Sequence, residues 1–225
     1  MKKLLLAFSI LICLMVFATI TYLVIKSSGA ALSVDAYIRD FAVSHRGAKF
    51  GIIYWIFRFA TEFAEPIMIL SIGIMFLLYS KCDNKFVVFL LGLLLSFCIN
   101  EALKEIIGRQ RPNVEHFQKE MSKSFPSAHS VMSSYVYTSI MFYVSKTKIS
   151  SKWKILVYVI CPIIILLVML SRIVMGVHYF SDVVAGASFG LTIALIMIPV
   201  YNFLAKYKFL EGGIIEAFKN RANKG

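Results

Sequence analysis

Acid is scarce in this chain. Twelve Asp and Glu stand against 24 Lys and Arg in 225 residues, and no cluster offers the carboxylate array that a magnesium or calcium site needs. Cysteine is nearly as sparse: Cys13, Cys98 and Cys161 lie inside apolar runs and Cys82 in a short polar loop. None belongs to a CxxC or Cys/His metal spacing, so neither disulfides nor a structural zinc site is expected. There is no internal repeat and no low-complexity tract. Charged residues of both signs make up only 16%, against 59% hydrophobic residues and a mean hydropathy of +0.78. Ordinary soluble domains are roughly 45–50% apolar, so this composition indicates an integral membrane protein. The formal charge of +12 would suit nucleic acid, but the Lys and Arg fall between apolar runs rather than in one basic block. Membrane topology and attraction to anionic headgroups account for it better, a basic site for an anionic substrate is also compatible with it, and no nucleic-acid partner is expected.

The length fits one domain, residues 1–225. Met1-Lys2-Lys3 precedes an uncharged run over residues 4–25, and Ser28-Gly29-Ala30 resembles a cleavage site. A run of 22 residues exceeds a signal-peptide core of about 7–15 and is long enough to span a bilayer, so it is read as an uncleaved first helix. Residues 26–61 are mixed, with a helical periodicity over 32–41 that suits either an interfacial helix or a loop helix. Apolar runs follow over 66–80, 86–100, 124–145, 155–171 and 177–205, which predicts an all-α bundle of six membrane helices. With the N-terminus in the cytoplasm, the Lys-rich loops 81–85 and 146–154 and the tail 206–225 fall inside, as the positive-inside rule asks. The outer loop 104–125 breaks that rule with Lys104, Arg109, Arg111, Lys119 and Lys123, which suggests that its charges have other work.

Three polar clusters then share the outer side. They are Lys104-Glu-Ile-Ile-Gly-Arg-Gln-Arg111-Pro112, Pro126-Ser127-Ala128-His129-Ser130, and SRIVMGVHYFSD from Ser171 to Asp182. If residues 178–182 are helical, His178 and Asp182 are neighbours on one face. The carboxylate can hold one imidazole nitrogen and leave the other as a base or nucleophile. A structural His–Asp tie between helices is the plain alternative. Lys104, Arg111 and Arg172 can surround a tetrahedral oxyanion. Pro126 and Ser127 are expected to open a helix whose free N–H groups face the same anion. One His can attack phosphorus while the other protonates the leaving oxygen. This set implies metal-independent phosphoryl transfer through a phosphohistidine. Arg109, between the motif positions, is assigned to headgroups and left out of the site, and His45 and His116 to surface loops.

The pattern K-x6-RP, PS-x-H and SR-x5-H-x3-D resembles the type 2 phosphatidic acid phosphatase superfamily, membrane lipid phosphatases that share an active-site core with vanadium haloperoxidases. The resemblance implies that His178 is the nucleophile, oriented by Asp182, and that His129 is the general acid and later the base. It makes Lys104, Arg111, Ser127, Arg172 and the backbone at Ala128 the phosphate cradle, with no cofactor and no metal. Ala128 stands where the family usually has Gly, which puts the contact there in question. The implied activity is hydrolysis of a lipid phosphate or diphosphate at the outer face of the cell membrane. Undecaprenyl diphosphate and phosphatidylglycerophosphate lead, with phosphatidic acid next. A lipid phosphotransferase and a non-catalytic lipid-phosphate binding protein are the rival readings.

Overall fold

Apolar runs of this length become helices in a bilayer, because only a helix satisfies its own backbone polar groups there. The computed structural model describes residues 2–47, 50–80, 83–118 and 120–206. Among these the chain forms eight helices and no strand: α1 (Lys2–Lys26), α2 (Ser33–His45), α3 (Ile52–Glu62), α4 (Pro66–Ser80), α5 (Asn84–Ile107), α6 (Ala128–Ser145), α7 (Ser151–Val174) and α8 (Phe180–Lys206). The tail beyond 206, together with Lys49, Lys81, Cys82 and Lys119, lies outside the described residues.

Among the described residues five segments are long and apolar enough to cross a membrane: Lys3–Lys26, Ile52–Ser80, Asn84–Ile107, Ser151–Val174 and Phe180–Lys206. The short run at 66–80 thus gains length from α3, which precedes α4 across a three-residue turn. The sixth expected span, α6, is not among the five. It carries Ser130, Ser133, Ser134 and Ser139, all buried, and it sits against α5, α7 and α8. Its surroundings are protein rather than lipid, so its composition is more polar than that of the outer helices. In α1, by contrast, Leu4, Leu5, Phe8 and Leu11 are exposed, as a lipid-facing helix requires.

Small residues bring α8 close to α6. A Cβ added at Gly186 would stand 2.7 Å from the Ser127 carbonyl oxygen, and one at Gly190 would run into the Val131 carbonyl. This Gly-x3-Gly spacing is the close-packing device of membrane helices. Below it the seam is filled by Val131, Tyr135 and Val136 of α6 against Phe89, Phe189 and Ile193.

The mixed region 26–61 contains two helices. In α2, Asp35 is buried while Val34, Tyr37 and Phe41 are exposed. Ser28-Gly29-Ala30, the cleavage-like stretch, is a turn: Ser28 and Gly29 take φ of 53° and 77°. It directs the Gly29 and Ala30 carbonyls at Arg109. The ends of α1, α5 and α7 and the starts of α6 and α8 therefore meet at one end of the bundle, under α2, α3 and the loop 108–127.

Candidate active site

The cations come first. Lys104, in the last turn of α5 and buried, donates from Nζ to Glu101 Oε1 (2.9 Å) and Ser122 Oγ (3.2 Å). Arg111 reaches the same serine, donating from Nη2 to Ser122 Oγ (3.2 Å) and from Nε to the Ser122 carbonyl (2.8 Å). Its Nη1 donates to the Val177 carbonyl (2.8 Å) and stands 3.2 Å from His178 Nε2. Arg172, fully buried at the end of α7, donates to Gln118 Oε1 at 2.8 Å and to Glu120 Oε1. The other oxygen of Glu120 lies 3.6 Å from Arg111 Nη2. One carboxylate is therefore held between two guanidinium groups, and Arg172 Nε is left without a hydrogen-bond partner.

The His178–Asp182 pair forms, but not within a helix. His178 lies in the short turn between α7 and α8, and Asp182 belongs to the first turn of α8. The carboxylate reaches back to accept from the Tyr179 N–H (2.9 Å), in the manner of a helix cap, and its Oδ2 stands 3.5 Å from His178 Nδ1. Ser124 Oγ donates to the same Oδ2 at 2.5 Å and lies 3.4 Å from Nδ1. The His178 imidazolium is pushed well below its ordinary range, first by burial and then by the positive charge of Arg111, Arg172, His129 and Lys104. Burial also draws the Arg111 guanidinium down, against the pull of Glu120 and Asp182. The imidazole at 178 has Nδ1 turned to the carboxylate and Nε2 to the arginine.

His129 enters from the first turn of α6. Its Nε2 makes no hydrogen bond and stands 3.5 Å from Glu65 Oε1, at the α3–α4 turn. Glu65 also accepts from Gln118 Nε2 at 3.2 Å, and Gln118 in turn meets Arg172. Helix α6 opens at Ala128, one residue later than Pro126-Ser127 suggested, with Ser127 as its N-cap. The Ser127 N–H is not free for an anion: it donates to the Asp182 carbonyl at 3.1 Å. Ala128 occupies a helical position that any residue can adopt, so the missing glycine causes no backbone strain here.

Arg109 is the main correction to the sequence reading. It is fully buried, not at the headgroups, and donates to Asp182 Oδ1 (2.5 Å) and Asp35 Oδ2 (2.7 Å). Sequence reasoning also missed Asp35, Glu65, Gln118, Glu120 and Ser124. The breach of the positive-inside rule in loop 104–125 was the one signal that its charges are engaged by the protein. His45 is exposed at the end of α2 and His116 Nε2 meets the Pro112 carbonyl. Among the described residues no group of three or more His, Cys, Asp or Glu could hold a metal ion, and Cys13, Cys98 and Cys161 are free thiols. A cavity of about 530 Å³ lies at the far end of the bundle, lined in part by Phe76, Lys85, Tyr143 and Lys146, well away from these groups.

A sequence model of the PAP2 superfamily matches residues 85–206. Phosphatidylglycerophosphatase B of Bacillus subtilis is 35% identical over 150 residues, 66% of this chain and 71% of that protein. The bacitracin transport permease protein BcrC of Bacillus licheniformis is 24% identical over 213 residues, 87% of this chain and 97% of its own length. Among solved structures, the transmembrane PAP2-type phosphatidylglycerolphosphate phosphatase of Bacillus subtilis superposes with a TM-score of 0.75 at 27% identity, covering 88% of this chain and 98% of that one.

Proposed function

The chain belongs to the PAP2 superfamily and is a multi-pass membrane lipid phosphatase, and from that premise we propose that His178 is its nucleophile and phosphatidylglycerophosphate its leading substrate. The observation that carries the reading is the carboxylate of Glu120 held between Arg111 and Arg172, with Arg111 also 3.2 Å from His178 Nε2. An anion site thus adjoins an imidazole nitrogen of His178. A phosphate has the charge and the oxygens to replace that carboxylate, and the arginine forks suit it better.

In this mechanism His178 Nε2 attacks phosphorus, and the Nδ1 proton stays on the side of Asp182, which stabilises the positive imidazole that forms. The bond from phosphorus to the leaving oxygen breaks as His129 donates a proton to that oxygen. Water then attacks the phosphohistidine, His129 takes up its proton, the P–N bond breaks and inorganic phosphate leaves. Lys104, Arg111 and Arg172, with amides of the first turn of α6, balance the charge that builds on the phosphoryl oxygens. No step calls for a metal ion. Phosphatidylglycerophosphate is favoured by the relatives; undecaprenyl diphosphate and phosphatidic acid share the chemistry. The clusters face the extracytoplasmic side and both termini the cytoplasm, a reading supported by the Lys-rich loops at the other end.

Phosphate release by detergent-purified protein in excess EDTA tests the reading, on those three lipids and with His178→Ala beside wild type. Turnover that survives EDTA and vanishes in the variant is the expected result, and the ranking of kcat/KM names the substrate. Turnover retained by His178→Ala overturns the nucleophile, and loss in EDTA that added metal restores overturns metal independence. Binding without turnover on any lipid favours a binding protein. Phosphate transferred to a lipid hydroxyl, rather than released, favours a phosphotransferase.

A further inference from the structure

All five N–H donors of Arg109 are used, and all inside the protein. Nε donates to the Gly29 carbonyl (3.2 Å), and Nη2 to the Ala30 carbonyl (3.1 Å) and Asp35 Oδ2 (2.7 Å). Nη1 donates to Ser181 Oγ (2.7 Å) and Asp182 Oδ1 (2.5 Å). The guanidinium also lies over the ring of Tyr179, 4.3 Å from its centroid. Asp35 is equally engaged. It accepts from the Ser181 N–H (2.8 Å), Ser181 Oγ (2.7 Å) and the Leu32 N–H (3.2 Å) in addition to Arg109.

We propose that Arg109 and Asp35 are positioning residues for the reaction, with Asp35 of α2 fixing the Arg109 guanidinium so that it clamps one oxygen of Asp182 and leaves the other to His178. The inference rests on the assignment of His178 as nucleophile.

Acceptor accounting supports it. Asp182 Oδ2 receives Ser124 Oγ and the Tyr179 N–H and faces His178 Nδ1, while Oδ1 has Arg109 as its partner. Without Arg109 the carboxylate is held at Oδ2 alone, and the line from Oδ2 to the imidazole is less tightly fixed. The main chain of Arg109 acts on the same carboxylate, because its carbonyl accepts from the N–H of Ser124, whose hydroxyl then bonds Asp182. A cation shared between two carboxylates also takes less charge from each. Asp35 therefore preserves the ability of Asp182 to stabilise a positive imidazole. An ion pair serving only to join helices needs no second carboxylate and no bond to the dyad.

The charged and titratable groups facing Asp182 are Arg109 and Arg111 from the loop after α5, His178 and Tyr179 from the turn before α8, and Asp35 from α2 behind Arg109. Their signs give a test that packing alone would not pass. The kcat and KM of the full-length protein in detergent are measured on phosphatidylglycerophosphate across pH for Arg109→Gln, Arg109→Lys, Asp35→Asn and His178→Ala. Asp40→Asn, an exposed position on the same helix, is the control.

Arg109→Gln is expected to lower kcat on the order of 100-fold with little change in KM. Its acid limb moves to higher pH, because the cation that favours the ionised carboxylate is gone. Arg109→Lys recovers part of the rate. Asp35→Asn lowers kcat about tenfold, and its acid limb moves the opposite way, because Arg109 is then committed to Asp182 alone. Asp40→Asn behaves as wild type. Rate losses with unmoved pH profiles, or wild-type behaviour in Asp35→Asn, overturn the proposal, and the second result decides even if Arg109→Gln does not fold. Turnover in His178→Ala is a different failure and strikes the nucleophile assignment instead.

Discussion

Arg109 and Arg111 are separated by one residue in the same loop, yet they sit in opposite environments. Around Arg109 every donor is used, both partner carboxylates are wholly buried, and nothing is left for a ligand. Around Arg111 and Arg172 neutralisation is less complete. The carboxylate between them is partly exposed on a loop, and Arg172 Nε is unsatisfied. Residue type does not decide which arginine is fully neutralised inside the protein and which is not. The difference lies in what already neutralises each: two buried carboxylates for Arg109, and one partly exposed carboxylate for the other pair.

The largest effect expected from this contrast is on stability. Arg109→Ala removes one partner of a buried charge cluster and leaves two carboxylates uncompensated, which costs about 3–5 kcal/mol. Arg111→Ala should cost less, since its guanidinium balances one partly exposed carboxylate rather than two buried ones. Denaturation midpoints of the two variants in the same detergent compare them directly, and equal midpoints would break the contrast.

Activity should reverse the ranking's meaning. Arg111→Ala is expected to lower kcat/KM by about 10²–10³, the scale of losing one donor to a developing oxyanion, in a protein that stays folded. Near wild-type turnover in that variant would mean that the Arg111–Arg172 pair does not meet the phosphoryl group.

Glu120 offers a smaller and sharper probe. Glu120→Gln removes the charge that competes for the two arginines, so inhibition by inorganic phosphate or orthovanadate should strengthen by about tenfold. An unchanged inhibition constant would show that the anion binds elsewhere.

The pH dependence is the mildest expectation. Because His178 is held below its ordinary range, kcat/KM should not fall as pH drops from 7.5 to about 6.5. Arg111→Ala takes away a cation that disfavours the imidazolium, so its acid limb moves to higher pH. The same depression links to stability with a definite sign. Below about 6.5 an unfolded chain takes up a proton that the folded one refuses, so His178 makes stability fall as pH drops through that value.

Much of the fold was legible because a bilayer leaves few options for apolar segments. Five of the six expected spans coincide with helices long and apolar enough to cross a membrane. The sixth, α6, shows why composition alone is an incomplete guide: a helix surrounded by other helices needs no lipid-facing surface and can carry buried serines. The Gly186–Gly190 spacing was visible in the chain, but its partner was not, because only packing shows that Ser127 and Val131 lie across from it. Residues 26–61 were the least legible stretch. The buried role of Asp35 depends on Arg109 and Ser181, which lie 74 and 146 residues away.

By itself the sequence determined the membrane character, the helical class and the three polar clusters proposed to form the site, because each depends on local composition and spacing. Lys104, Arg111, Arg172, His129, His178 and Asp182 were named on that basis, and the structure brings them to one end of the bundle. Tertiary structure alone decided which charges are spent inside the protein and which remain available. That division turns on distances between segments far apart in the chain, and on how completely each guanidinium is neutralised once water has been removed. No local pattern encodes either, so two arginines one residue apart could look alike in sequence and differ in the fold.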